Sequence, residues 1–109
     1  MKAIKLSPTD NVATLLGDVE KNERVEIISA DNEVIAEINA LQKITFGNKI
    51  ALCDMATGEH ILKCGHSIGK SIVEIPLGQL AHVQNVRSER LDIPEAIIEE
   101  IIKQMGIEQ

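Results

Sequence analysis

Three histidines, two cysteines and a few lysines are all this 109-residue chain offers for acid–base, nucleophilic or metal chemistry near neutral pH. The densest string is His82-Val83-Gln84-Asn85. On a regular strand His82 and Gln84 share one face, Val83 anchors the other, and Asn85 closes the strand. Such a row of neutral hydrogen-bonding side chains suits hydroxyls and carboxylates, which need paired donors and acceptors. The plain alternative is the exposed polar face of a two-sided sheet. Cys64-Gly65-His66 sets a thiol and an imidazole two positions apart, on one side of a regular strand, although Gly65 breaks that regularity. With the distant His82 these residues could ligate a divalent metal, but no recognised zinc spacing is present. Their bland reading is Cys64 as a small buried hydrophobe and His66 as a surface or hydrogen-bonded residue. Lys49 and Lys63 fall at turn-to-strand transitions, where they either attract an anion or are simply solvated.

Other chemistries find no support. The chain has no G-x-S-x-G elbow, no phosphate loop and no H-E-x-x-H. Gly65-His66-Ser67-Ile68-Gly69 lacks the third glycine of a dinucleotide site, and no strand–helix unit surrounds it. The 11 Lys plus Arg against 17 Asp plus Glu leave a net charge of −6, which repels a polyphosphate. One aromatic residue, Phe46, cannot form a platform for stacking bases, so a nucleic-acid partner is not expected. Two cysteines without a C-x-x-C pairing read as reduced thiols in a cytosolic protein. The first residues run into Ser7-Pro8-Thr9-Asp10 without a long apolar region, and no apolar run approaches the ~20 residues a bilayer requires. The expectation is a soluble, cytoplasmic protein with no membrane partner.

The elements that must position these residues are short. Hydrophobic residues make up 44% of the chain, enough for a single core without disulfide or metal staples. Up to about residue 90 the dominant period is two. Val25 and Ile27 face one way, Arg24 and Glu26 the other; Val34, Ala36 and Ile38 repeat the habit against Glu33 and Glu37. Asp31-Asn32 between these runs predicts a hairpin turn, because both residues tolerate left-handed backbone angles. Further strand-like runs cover 12–16, 44–46, 49–52, 60–63, 67–75 and 81–86, punctuated by Gly47-Asn48, Thr57-Gly58, Cys64-Gly65 and Pro76-Leu77-Gly78. Strands this short at this spacing argue for a small antiparallel barrel or a folded, clip-like sheet. No internal repeat stands out.

The last twenty residues change period. Ile97, Ile98, Ile101, Ile102 and Met105 fall at helical spacing among acidic residues. Asp92 is placed to cap this helix with Glu95 completing a capping box, Pro94 suits its first turn, and Gly106 stops it. Residues 1–90 therefore read as one β domain, and 91–109 as an amphipathic helix packed on that domain or on a partner.

Four segments in order resemble a known family. Ile44-Thr45-Phe46-Gly47-Asn48-Lys49-Ile50-Ala51-Leu52 is similar to "I-P-x-G-H-K-I-A-L", and Asp54-Met55-Ala56-Thr57-Gly58-Glu59 to "D-I-x-x-G-E". Ile61-Leu62-Lys63-Cys64-Gly65-His66-Ser67-Ile68-Gly69 resembles "I-I-K-Y-G-x-x-I-G". Gly78-Gln79-Leu80-Ala81-His82-Val83-Gln84-Asn85-Val86-Arg87-Ser88 resembles "G-x-x-V-H-V-H-N-V-x-S". This order resembles the SAF domain of the altronate/galactarate dehydratases, across roughly residues 10 to 90.

The resemblance implies a β-clip fold, mainly β with a small bent sheet or barrel, here followed by one helix. It implies the small subunit of a sugar-acid dehydratase-type lyase, of the kind found in sulfolactate sulfo-lyase, which removes a proton beside a carboxylate and expels a hydroxyl or sulfite from the next carbon. It implies a separate large dehydratase subunit as partner, a small hydroxy acid as substrate, and room for self-association into a homo-oligomer. The implied cofactor is a divalent metal, commonly iron(II) in the relatives, held mainly by the large subunit. Onto this chain it carries His82 and Lys49 as catalytic residues, and Asn48, Gln84, Asn85 and Lys63 as substrate-binding residues. The expected metal ligands are His82, which matches the family's motif, and His66, which stands at a position variable in the relatives. Two imidazoles of the pattern are amides here, Asn48 and Gln84, and amides do not titrate near neutrality. The alternative reading is a stand-alone, non-catalytic β-clip module that binds a small acid or a protein.

Overall fold

The alternation at 24–29 and 34–39 pairs as a hairpin. In the computed structural model, which describes residues 1–90 and 92–108, strand β3 (Arg24–Ser29) runs antiparallel to β4 (Val34–Asn39), with Val25 opposite Ile38 and Ile27 opposite Ala36. Asn32 takes the left-handed angle that turns the chain, at φ 65°. Val25 and Ile27 are buried, while β4 is an edge strand exposed along most of its length. On the other side of β3 lies β1 (Lys2–Lys5), the one parallel pairing among the described strands; β1 then pairs antiparallel with β2 (Val12–Leu15). The six-stranded sheet finishes with β5 (Lys49–Ala51) and β8 (Leu80–Ala81), in the order β4-β3-β1-β2-β5-β8. A second sheet holds β6 (His60–Lys63), β7 (His66–Ser71) and β9 (Val86–Arg87).

This is the mainly β, bent-sheet architecture the sequence predicts, but it is no closed barrel: β4 and β8 end the large sheet, and β6 and β9 the small one. The apolar core forms two clusters, and the second joins the sheets, since Val12, Ala51 and Ala81 of the large sheet meet Ile61 of the small one there. Ala3, Leu15, Val19, Val25, Ile27, Ile44 and Ile50 fill the first, and Val12, Ala51, Met55, Ile61, Ile75 and Ala81 the second. Asp10 and Asn11 tie the sheets together. The Asp10 carboxylate accepts the Cys64 and Gly65 amides at 2.8 Å each, and the Asn11 side chain accepts the Leu62 amide at 2.8 Å while donating to the His60 carbonyl at 2.9 Å.

A local pattern does recur, contrary to the sequence reading. Hydrogen-bonded turns close at 20–23, 45–48, 56–59 and 76–79, each just after a buried residue: Val19, Ile44, Met55 and Ile75. The third residue of each has positive φ: Asn22, Gly47, Gly58 and Gly78. That combination is a type II turn. The buried residues bridge in pairs, Val19 with Ile44 and Met55 with Ile75. In both pairs an aspartate preceding the first turn accepts an amide of the second, Asp18 from Phe46 and Asp54 from Leu77, at 2.8 Å. Turn use repeats where sequence identity does not.

Four further expectations need correction. Residues 44–46 form no strand, because Ile44 is a single bridge entering a turn. The run 67–75 stops at Ser71. The run 81–86 is two short strands broken by a turn at 83–85. Cys64 is exposed rather than buried, since Cys64 and Gly65, at φ 54° and 78°, form the tight β6–β7 turn.

The helix α1 (Glu95–Met105) stops at Gly106 as expected, but the capping box is absent: Pro94 is its N-cap and no side chain caps it. Ile98 is buried, Ile101 and Ile102 are partly buried, and Ile97 and Met105 stay exposed. Beyond α1, Ile107 packs against the first core and Gln42 donates to the Glu108 carbonyl.

Candidate functional site

The turn at 83–85 decides where the predicted chemistry goes. Asn85 is 2% exposed, and its side chain is committed to its neighbours along the chain. Its Oδ1 accepts the His82 amide at 3.0 Å, while its Nδ2 donates to the Leu80 carbonyl at 2.8 Å and to Gln79 Oε1 at 3.3 Å. A side chain that competes for backbone groups converts an alternating string into a turn. His82 and Gln84 therefore do not share a strand face. Gln84 Nε2 donates to the Leu80 carbonyl at 2.8 Å, and its buried Oε1 has no partner among the described residues.

The turn carries His82 and Val83 into a cleft of about 330 Å³ beneath the start of α1. Lys49 at the head of β5, Ile68 of β7 and Val86 and Arg87 of β9 line it from the sheets, and Asp92, Glu95 and Ile98 from the helix side, as its cover. Of the expected site residues, His82 and Lys49 are thus brought to one cleft. The substrate-binding set is not. Asn48 donates to Thr45 Oγ1 at 2.8 Å inside its own turn, Asn85 supports the backbone, and Lys63, Gln84 and His66 lie outside the cleft lining.

The electrostatics of the cleft are those of a half-buried cation beside a neutral imidazole. Burial lowers the Lys49 amine below the usual lysine range, and the Lys63 charge lowers it further. Burial also lowers His82 below its ordinary value, with the Lys49 cation as second cause. His82 is consequently neutral at pH 7 and able to accept a hydrogen bond or a proton. Lys49 forms no ion pair among the described residues. An anion from outside would complete the arrangement.

A divalent metal does not fit this donor set. His82 is the one imidazole in the cleft lining, and its neighbour is a lysine cation that opposes a second positive charge. No group of three or more His, Cys, Asp or Glu among the described residues is arranged to hold a metal ion. His66, the second expected ligand, sits exposed at the start of β7.

Sequence reasoning missed Arg87 and Glu95. Arg87 is at a variable position of the quoted motif, and Glu95 reads in the sequence as part of a helix cap. In the structure Arg87 Nη1 donates to the Val83 and Val86 carbonyls, while Nη2 faces the Glu95 carboxylate at 3.4–3.5 Å.

Residues 1–89 match the altronate/galactarate dehydratase SAF domain. The chain is 33% identical to altronate dehydratase of Escherichia coli (strain K12) over 95 residues, covering 87% of this chain and 18% of that protein. It is likewise 33% identical to altronate dehydratase of Bacillus subtilis (strain 168) over 90 residues, covering 83% of this chain and 17% of that protein. The chain thus spans less than a fifth of these relatives. It belongs to the altronate/galactarate dehydratase SAF-domain family, and α1 lies beyond the matched residues.

Proposed function

From this membership we propose that the chain is the SAF-domain component of a sugar-acid dehydratase-type lyase, working in the cytoplasm with a separate large subunit. The observation that carries the reading is the meeting of Lys49 and His82, from two separate family-like motifs, in one cleft. Lys49 holds the carboxylate of a small hydroxy acid. Neutral His82 accepts a proton or hydrogen bond from the substrate at its ring nitrogen. The divalent metal is assigned to the large subunit, because the donor set here does not suit one.

His82 is the one acid–base group this reading assigns in the cleft, too few for both proton abstraction and leaving-group expulsion. The isolated chain should therefore be folded and silent, and activity should need the second chain. The test is reconstitution with an altronate dehydratase large domain lacking its own SAF domain, screened against aldonates and aldarates. Turnover by the mixture alone supports the proposal. Dehydration at enzymatic rates by the isolated chain overturns the two-chain arrangement, and binding without turnover in every mixture favours a stand-alone acid-binding module.

A further inference from the structure

Arg87 is held in an unusual half-engaged state. Its Nη1 edge is anchored by the Val83 and Val86 carbonyls, so the guanidinium is oriented before anything binds. Arg87 lines the cleft, and the single carboxylate its Nη2 meets among the described residues is Glu95, another lining residue, at 3.4–3.5 Å. Well-formed guanidinium–carboxylate bonds run at about 2.7–2.9 Å. The Glu95 contact is therefore loose, and it is lopsided too: the Arg87 side chain is 29% exposed and the Glu95 side chain 74%. A cation that is mostly withdrawn from water faces a carboxylate that is mostly in it. Lys49 and neutral His82 line the same space, and Asp92 sits on the cover with Glu95. The cleft thus pairs two cations on the sheet side with two carboxylates on the helix side.

We propose that Arg87 is the second carboxylate-binding residue of the cleft, and that Glu95 is an internal stand-in which a substrate carboxylate displaces, lifting the start of α1. The inference rests on the reading of the cleft as a hydroxy-acid site and adds its specificity. Two cations lining one cleft suit a carboxylate with a neighbouring polar group or a second carboxylate, an aldarate rather than a simple monoacid. The planar fork of Arg87 fixes the orientation, as a point-charge lysine cannot. Glu95 lies outside the residues that the family model matches.

The experiment is a titration of galactarate into the full chain, followed by amide and imidazole NMR shifts, with gluconate and acetate as comparison probes. Glu95→Gln removes the competing charge without touching the core and should tighten galactarate about two- to fivefold, the range an exposed ion pair carries. Arg87→Gln should weaken it at least tenfold, and Arg87→Lys should restore part of the loss. Melting curves of each variant show whether the turn has survived. Galactarate should bind more tightly than gluconate, and both more tightly than acetate. Equal affinity of Glu95→Gln and the parent overturns the proposal, as does unchanged binding by a folded Arg87→Gln or no shift with any probe. Those failures leave lyase activity of a reconstituted pair untouched, so they are separable from failure of the functional reading.

Discussion

Lys49 and His82 show what a functional side chain does to stability. Both have depressed pKa values, mainly through burial. For a base the sign follows directly: the unfolded chain binds the proton at the ordinary pKa and the folded chain only at a lower one. For His82 stability falls as pH drops below about 6.5, its ordinary value, and levels off below the folded pKa. Replacing His82 by Gln should flatten the dependence of denaturation midpoint on pH between neutrality and pH 5. An unchanged slope would place the imidazole in water. In the reconstituted enzyme His82→Ala should lower turnover at least tenfold with the fold intact, and unchanged turnover would reduce His82 to part of the turn. Lys49 follows the same sign in a window above neutrality. Its stability cost is fully present while it is charged and is relieved only as pH rises through its folded pKa toward 10.5. Lys49→Met should therefore raise the melting temperature while weakening galactarate at least tenfold. A lower melting temperature would mean that the ammonium has a partner the fold needs.

At the scale of elements, the strands are legible wherever one face is buried and the other wet. The β3–β4 hairpin follows from alternation plus Asn32, and α1 follows from its 3.6 period and Gly106. Alternation misleads where side chains bind backbone: His82-Val83-Gln84-Asn85 reads as a strand, yet Asn85 makes it a turn. The four-residue β1 escapes a sequence reading because its identity as a strand comes from its neighbours β2 and β3. The site is half legible. His82 and Lys49 come from motif order, whereas Arg87 and Glu95 become visible only once the chain brings β9 against α1. The recurring turns yield a graded prediction. A methyl group added at Gly58, φ 88°, would enter open space, so Gly58→Ala should cost about 1–2 kcal/mol of backbone strain. At Gly78, φ 90°, the same methyl would lie 2.3 Å from the Asn39 carbonyl oxygen. Gly78→Ala should cost upwards of ~3 kcal/mol, since strain and overpacking add. Denaturant melts that rank the two alike would refute this account of the turns.

The whole molecule is two small sheets, joined by the core cluster around Val12, Ala51 and Ile61, and a helix that touches both. At one end Arg87 of β9 meets Glu95, and at the other Ile107 reaches the first core, with Gln42 donating to the Glu108 carbonyl at 3.4 Å. Between them Ile98 is 2% exposed, while its neighbour Ile97 is 52% exposed. Adjacent isoleucines in one helix thus serve as an internal control. Ile98→Ala should lose about 2–5 kcal/mol, the usual cost of a cavity at a filled site. Ile97→Ala, on the wet face, should stay within ~0.5 kcal/mol, since alanine is also the better helix former. Deleting residues 92–109 removes the Ile98 and Ile107 contacts together. For a domain of this size each kcal/mol corresponds to about 4–8 °C, so the truncated chain should melt at least ~8 °C lower. Equal melting temperatures for the full and truncated chains would show that the helix merely rests on the sheets. A drop in both the truncation and Ile98→Ala, with none in Ile97→Ala, would identify α1 as a structural strap whose far end still carries Glu95 over the cleft.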